Sequence, residues 1–189
     1  MKKMIIAAAV LVLAVLPAAA AAPQDLTLGV RFGLAVDDSK YDALPFDLEN
    51  ELGATYGLRL GLRQGHWGAE VGYFHGDRSL TPNAEAPPEL EPTTFRLNSF
   101  SFNVLYYPLL SATLQPYLTG GYGYYRVNFV DYDEDRSSGF NLGAGLEILV
   151  LRKLSVALEA RYQWVTFTFV EDPLDAQTWT ATFGLNYHF

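Results

Sequence analysis

Cysteine is missing from all 189 residues. That excludes a disulfide framework and leaves no acceptor for a cysteine-linked lipid anchor. Also missing is an apolar run long enough to cross a membrane as a helix. The longest, residues 4–16, falls short of the ~20 residues that a spanning helix needs. Basic residues are few: 13 lysines and arginines stand against 21 aspartates and glutamates, for a formal net charge of −8. An acidic balance of this kind argues against nucleic acid as a partner.

What the chain does carry at its start is an export signal. Lys2 and Lys3 precede the apolar run, and Pro17 with Ala18, Ala19, Ala20, Ala21 and Ala22 offers small-residue cleavage sites. Cleavage after Ala21 is preferred, because a cut after Ala22 would leave Pro23 directly behind the break. Residues 1–21 are therefore expected to be a secretory leader and residues 22–189 a single domain. Loss of Lys2 and Lys3 takes the formal charge from −8 to −10.

Within that domain apolar and small or polar residues alternate with period 2, the mark of a strand with two unlike faces. The alternation recurs eight times. Leu26, Leu28, Val30, Phe32, Leu34 and Val36 form one apolar face, and Leu52, Ala54, Tyr56, Leu58, Leu60 and Leu62 the next. Gln64-Gly65 reads as a two-residue hairpin turn. Trp67, Ala69, Val71 and Tyr73 follow, then Phe100, Phe102, Val104 and Tyr106. Phe95 and Leu97 fall in the opposite phase, so a bulge near Asn98, or strand already outside the membrane, is expected there. The fifth strand runs from about Gln115 to Val130 with Pro116 at its start. Phe140 to Ile148 and Leu154 to Trp164 alternate as the sixth and seventh strands, with another slip near Val165. The eighth is residues 180–189, which end on Phe189.

The connections near 64–66, 108–114 and 151–153 are short, whereas 37–51, 76–93, 131–138 and 170–177 are longer. Those longer stretches are acidic: 17 of the 21 acidic residues fall within 37–51, 77–91, 131–136 and 171–175. Short turns at one end and long loops at the other are the asymmetry of outer-membrane barrels. The expected fold is all-β, an eight-stranded antiparallel transmembrane up-and-down barrel behind a cleavable leader. Eight strands make a barrel just wide enough for side chains to fill. Aromatics suggest two girdles: Trp67, Tyr106, Tyr117, Tyr187 and Phe189 on the periplasmic side, and Tyr56, Tyr73, Tyr124, Trp164 and Trp179 on the outer side.

A soluble barrel of the lipocalin kind would turn its apolar face inward and show a charged exterior. Here the polar face is mostly glycine, serine and threonine with few charges. The apolar face is free of charge across the inferred span, as a lipid face must be, since arginine or lysine at mid-bilayer costs ~2–4 kcal/mol. The membrane barrel is the better reading.

The terminal strand also resembles the assembly signal of bacterial outer-membrane barrels in Thr182, Gly184, Tyr187 and Phe189. The resemblance extends to small barrels of the outer-membrane protein A/X/W type through Pro116, Tyr117, Gly121 and Gly123, through Gly143, Gly145 and Glu147, and through Leu158, Glu159, Arg161 and Tyr162. It implies delivery by the secretion machinery, insertion by the outer-membrane β-barrel assembly complex, and contact with outer-membrane lipid and lipopolysaccharide. A monomer and no cofactor are expected.

Chemistry, if any, belongs in the lumen. By parity Arg31, Arg59, Arg63, Glu70, Glu147, Glu159 and Arg161 share the inward face. With Gln64-Gly65 as the turn, Arg63 would face His66 and Arg59 would face Glu70. Buried charges persist mainly when paired, so a salt-bridged plug is favoured over a gated pore. Asp131, Asp133, Glu134 and Asp135 could offer oxygens to Ca²⁺, but an EF-hand register puts Arg136 at the required glycine and Leu142 at the bidentate glutamate. No metal site is expected, only a solvated or cation-bridged contact with lipopolysaccharide. His75, Asp77 and Ser79 are the types used in nucleophilic catalysis, yet closeness along one strand end does not build a triad. No catalytic residue is assigned and the chain is not read as an enzyme. The expected role is structural or surface-interacting, in envelope integrity or adhesion through acidic loops. A narrow pore or conduit for small or hydrophobic solutes is the alternative.

Overall fold

The computed structural model describes residues 25–37, 48–50, 52–82, 93–110, 113–129, 135–169 and 172–189. The expected leader and the acidic residues Asp131, Asp133 and Glu134 lie outside them. Among the described residues no helix is long and apolar enough to cross a membrane, and the regular structure is all strand.

Nine strands occur in chain order: β1 (Asp25–Asp37), β2 (Leu48–Asn50), β3 (Gly53–Gln64), β4 (Trp67–Pro82), β5 (Thr93–Tyr106), β6 (Leu114–Phe129), β7 (Asp135–Leu151), β8 (Leu154–Phe169) and β9 (Asp172–His188). β2 and β3 both pair with β4, at Leu80–Pro82 and at Trp67–Asp77, so they lie in line as one stave. Nine segments therefore make the eight staves that the alternation predicts. Every pairing is antiparallel, β1 meets β9 at the seam, and β4–β5 pairing completes the closed barrel.

Burial is inverted relative to a water-soluble protein. Leu28, Phe32, Leu58, Leu60, Phe100, Leu118, Leu142, Leu158 and Phe183 are exposed on the outer face. Arg31, Arg59, Glu70, Ser101, Asn103, Thr119, Asn141, Ser155, Glu159 and Arg161 are buried inside. Large apolar exposure of this extent with buried charge is what a lipid solvent requires, and it excludes the soluble carrier.

Several expectations need correction. The first hairpin turn is Gly65-His66, closed by Gln64↔Trp67, with Gly65 at φ 59°, a conformation that glycine adopts without steric cost. Arg63 therefore faces Gly68, not His66, and Arg59 faces Gly72, not Glu70. No bulge occurs near Asn98, where both ladders of β5 run in unbroken register. The phase slip has another cause: Phe95 and Leu97 point inward and pack with Tyr125, Val127 and Val165. The lumen near the outer end holds an apolar cluster, so the pleat continues while the composition of the β5 faces reverses. The slip at Val165 belongs to the same cluster.

The strands also outrun their expected ends. β4 reaches Pro82, β7 begins at Asp135 and β9 begins at Asp172, which shortens the connections expected at 76–93, 131–138 and 170–177. The last short turn is Arg152-Lys153, next to a register shift between Leu149 and Leu151. Tyr117 is not a girdle residue: it is 3% exposed and faces the lumen.

Candidate functional site

The pleat places long charged side chains on the inward face, and glycines on neighbouring staves make the room. Arg31 lies between Gly57 and Gly184, and Arg59 between Gly29 and Gly72. Glu159 faces Gly145, Arg161 faces Gly143, and Glu70 faces Gly61. A Cβ at Gly184 would fall on the Arg31 guanidinium, and one at Gly145 on the Tyr117 ring. Overpacking of this kind costs ~1–3 kcal/mol where it cannot relax.

Four of the predicted residues close into one ring across the lumen. Arg59 bridges Glu70 and, at 2.9 Å, Glu159; Arg161 bridges Glu70 at 2.9 Å and Glu159 at 2.8 Å. All four are at most 6% exposed. Glu70 on β4 and Glu159 on β8 stand on opposite staves of the eight, so the ring crosses the full bore. Each carboxylate meets both guanidiniums, and the ring is neutral. Tyr117 Oη donates to Glu159 at 2.9 Å and Asn103 Nδ2 donates to Glu70 at 2.9 Å. Charge-assisted bonds to all four partners are what a buried ionic group needs to offset its desolvation.

The other predicted charges gather nearer the periplasmic end. Glu147 accepts hydrogen bonds from Ser155 Oγ and, at 2.6 Å, from Asn186 Nδ2, with His188 Nε2 at 3.4 Å. His188 Nδ1 lies 2.9 Å from Asp25 and so ties β9 to β1 across the seam. Arg31 donates to Asn186 Oδ1 at 2.6 Å; Arg63 reaches Gln115 and lies over the Tyr107 ring at 3.8 Å. Sequence parity thus places all seven residues on the inward face, but only Arg59, Glu70, Glu159 and Arg161 form one ionic unit.

Ser155, His188 and Asp25 form a hydrogen-bonded chain, with Ser155 Oγ 2.8 Å from His188 Nε2. It resembles a nucleophilic triad in outline only. Ser155 has no exposed surface, directs its own proton to Glu147, and receives Asn186 at 3.2 Å. A hydroxyl with its lone pairs and proton all engaged inside a wall is a hub, not a nucleophile. The sequence cluster His75, Asp77 and Ser79 is on β4. His75 Nδ1 is 2.8 Å from Asn98 Oδ1 and its Nε2 3.7 Å from Asp77, which also meets Arg96 at 3.4 Å; the Ser79 side chain lies outside the description.

Among the described residues no group of three histidine, aspartate or glutamate side chains could hold a metal. The residues of the expected assembly signal divide between faces. Thr182 and Gly184 point inward, whereas Tyr187 and Phe189 are outside with ring centres 5.0 Å apart. The Phe189 N–H donates to the Leu26 carbonyl at 3.0 Å across the seam.

Sequence reasoning missed Tyr107, Tyr117, Asn103, Asn186 and His188 as lumen residues, and Arg78, 5% exposed and 3.2 Å from Thr178. Strand parity could have found each, because they share a face with the charges. On the exterior, Arg126 and Arg136 are cross-strand partners, with exposed Arg96 on the neighbouring stave. They stand just beyond Tyr124 and Phe140, at the outer edge of the apolar band.

The family model for the outer membrane protein beta-barrel domain matches residues 5–189. No curated protein matches the sequence. Among solved structures, Neisserial surface protein A is similar at TM-score 0.65 and 17% identity, covering 87% of this chain and 97% of that one. Ail of Yersinia pestis, crystallised with the heparin analogue sucrose octasulfate, aligns at 0.54 and 16% over 87% and 99% of the two chains. The N-terminal barrel domain of Pseudomonas aeruginosa OprF aligns at 0.50 and 14% over 85% and 97%.

Proposed function

The chain belongs to the outer membrane protein β-barrel domain family, and from that premise we propose a structural, surface-interacting barrel whose lumen is closed. It is an integral protein of the bacterial outer membrane. The observation that carries the closed reading is the neutral ring of Arg59, Glu70, Glu159 and Arg161 across the bore. A solute passing through would have to part buried ion pairs, and each charge left unpaired costs several kcal/mol. The apolar cluster of Phe95, Tyr125, Val127 and Val165 supports a second obstruction on the outer side.

Single-channel recording on the refolded barrel in a planar bilayer tests this. Native protein is expected to be silent, and an Arg59→Ala/Glu70→Ala variant to leak. Reproducible native conductance would sink the closed lumen and put a narrow conduit in its place.

The surface role rests on the outer rim. Arg96, Arg126 and Arg136 sit at the edge of the apolar band, at the depth where phosphate groups of lipopolysaccharide would lie. Arg126 and Arg136 are direct cross-strand partners, so both guanidiniums face one patch of that anionic lipid surface. The acidic segments beyond them fit cation-bridged contact with that surface. They disfavour a polyanion such as the heparin analogue bound to Ail. In vesicles, lipopolysaccharide is expected to raise the unfolding midpoint of the native barrel, and by less in Arg126→Ala/Arg136→Ala. An equal rise in both proteins would count against these arginines as the contact.

A further inference from the structure

The periplasmic half of the lumen holds a buried guanidinium that no carboxylate engages. Arg31 is 3% exposed, yet its guanidinium donates to neutral oxygens, the Val30 carbonyl at 3.1 Å and Asn186 Oδ1 at 2.6 Å. Its Nε–H has no acceptor. No carboxylate among the described residues lies within ion-pair distance of it. Arg63 is in the same position. Its partners are the Gln115 side-chain oxygen, the Gly65 carbonyl at 3.1 Å and the face of Tyr107.

The neighbouring acids are committed elsewhere. Glu70 is held by Arg59 and Arg161, Glu147 by Ser155, Asn186 and His188, and Asp25 by His188 at 2.9 Å. Arg31, Arg59 and Arg63 line a single cavity of about 30 Å³, and these three engaged carboxylates and His188 line it with them. The Nε–H of Arg59 also lacks an acceptor. A buried guanidinium without a counter-charge is costly, and Arg31 faces this small space.

We propose that this cavity binds a monovalent anion of halide size, with chloride the natural occupant. One water needs roughly 10–15 Å³ measured in this way, so the cavity has room for about two waters, or for one chloride with a water. Sulfate and phosphate are too large. The anion would accept N–H bonds from Arg31 and Arg59, give Arg31 the counter-charge it lacks, and sit beneath the ion-pair ring. Its entry is from the periplasmic mouth, where Arg63 is half-buried and Asp25 is partly open. The site goes beyond the closed-barrel reading and would exist whether or not the lumen conducts.

Crystals of the refolded barrel soaked in sodium bromide, with anomalous diffraction at the bromine edge, test it directly. One bromide is expected in the cavity beside Arg31, and a cavity that holds only water overturns the proposal. In parallel, urea-unfolding midpoints are compared in bromide, gluconate and sulfate at equal ionic strength. Bromide is expected to stabilise the native barrel over gluconate, and sulfate is not. A midpoint blind to bromide, or raised equally by sulfate, would also overturn it. In Arg31→Met the half-saturating bromide concentration should rise on the order of tenfold, as the loss of one charge-assisted hydrogen bond implies. Should that variant fail to refold, Arg63→Gln at the mouth is expected to shift the same concentration upward, and an unchanged value would count against the site.

Discussion

Glu159→Ala is expected to lower the unfolding free energy of the refolded barrel by about 3–5 kcal/mol, the range for removing one partner of a buried ion pair. The loss arises less from the contacts removed than from what stays behind. Glu159 accepts from Arg59 at 2.9 Å, Arg161 at 2.8 Å and Tyr117 Oη at 2.9 Å. Without it, two guanidiniums share the single carboxylate of Glu70, and the Tyr117 hydroxyl loses its acceptor inside the lumen. Urea-unfolding midpoints in lipid vesicles measure the difference, provided that the slope with denaturant is unchanged.

Two companions separate ionic from steric causes. Glu159→Gln keeps the volume and an acceptor for Tyr117 but removes the charge, and should fall most of the way to the alanine variant. Replacing all four ring residues with apolar side chains of similar volume should be far milder than the single loss, since no buried charge is then left unpaired. A Glu159→Ala barrel within about 1 kcal/mol of native, a magnitude typical of ordinary hydrogen bonds, would mean that water already satisfies the arginines and that the bore is wet.

The distribution of charge between faces was legible from the sequence because strand parity is insensitive to small errors of register. Moving the turn by one residue, from Gln64-Gly65 to Gly65-His66, moves every partner on β4 by two. The faces are kept. For the same reason Arg59 and Glu70 still meet, now as diagonal neighbours within reach of long side chains. What parity cannot give is which charge reaches which across the bore. The carboxylates Glu70 and Glu159 stand four staves apart, and their joining through Arg59 and Arg161 depends on closure of the whole sheet. Tyr117 reads as a girdle residue because an aromatic near a strand end fits either face. Its buried neighbour in phase, Thr119, decides the matter. Phe95, Leu97 and Val165 were hidden differently: apolar residues on a polar face look like a broken strand until three staves are seen to bring them together.

The second large effect lies on the opposite face. Phe183 is four residues from both Trp179 and Tyr187, so it and its cross-strand partner Leu158 mark the middle of the apolar band. Leu158 is 52% exposed and points away from the lumen. Leu158→Arg is therefore expected to cost about 2–4 kcal/mol in a lipid bilayer, and an arginine at Val36, beside Trp179 at the outer girdle, only about 0–1 kcal/mol. The contrast matters more than either value. Both sites are exposed outer-face positions on strands, so a barrel surrounded by water would treat the two arginines alike and tolerate both. Only a solvent that changes with depth separates them. Equal penalties in vesicles would mean that the band is not centred on Leu158 and Phe183. A barrel stabilised by either arginine would contradict the lipid-facing assignment of this surface. Refolding the same pair in vesicles of longer-chain lipid sharpens the measurement, because a thicker apolar layer draws Val36 inward and should raise its penalty towards that of Leu158.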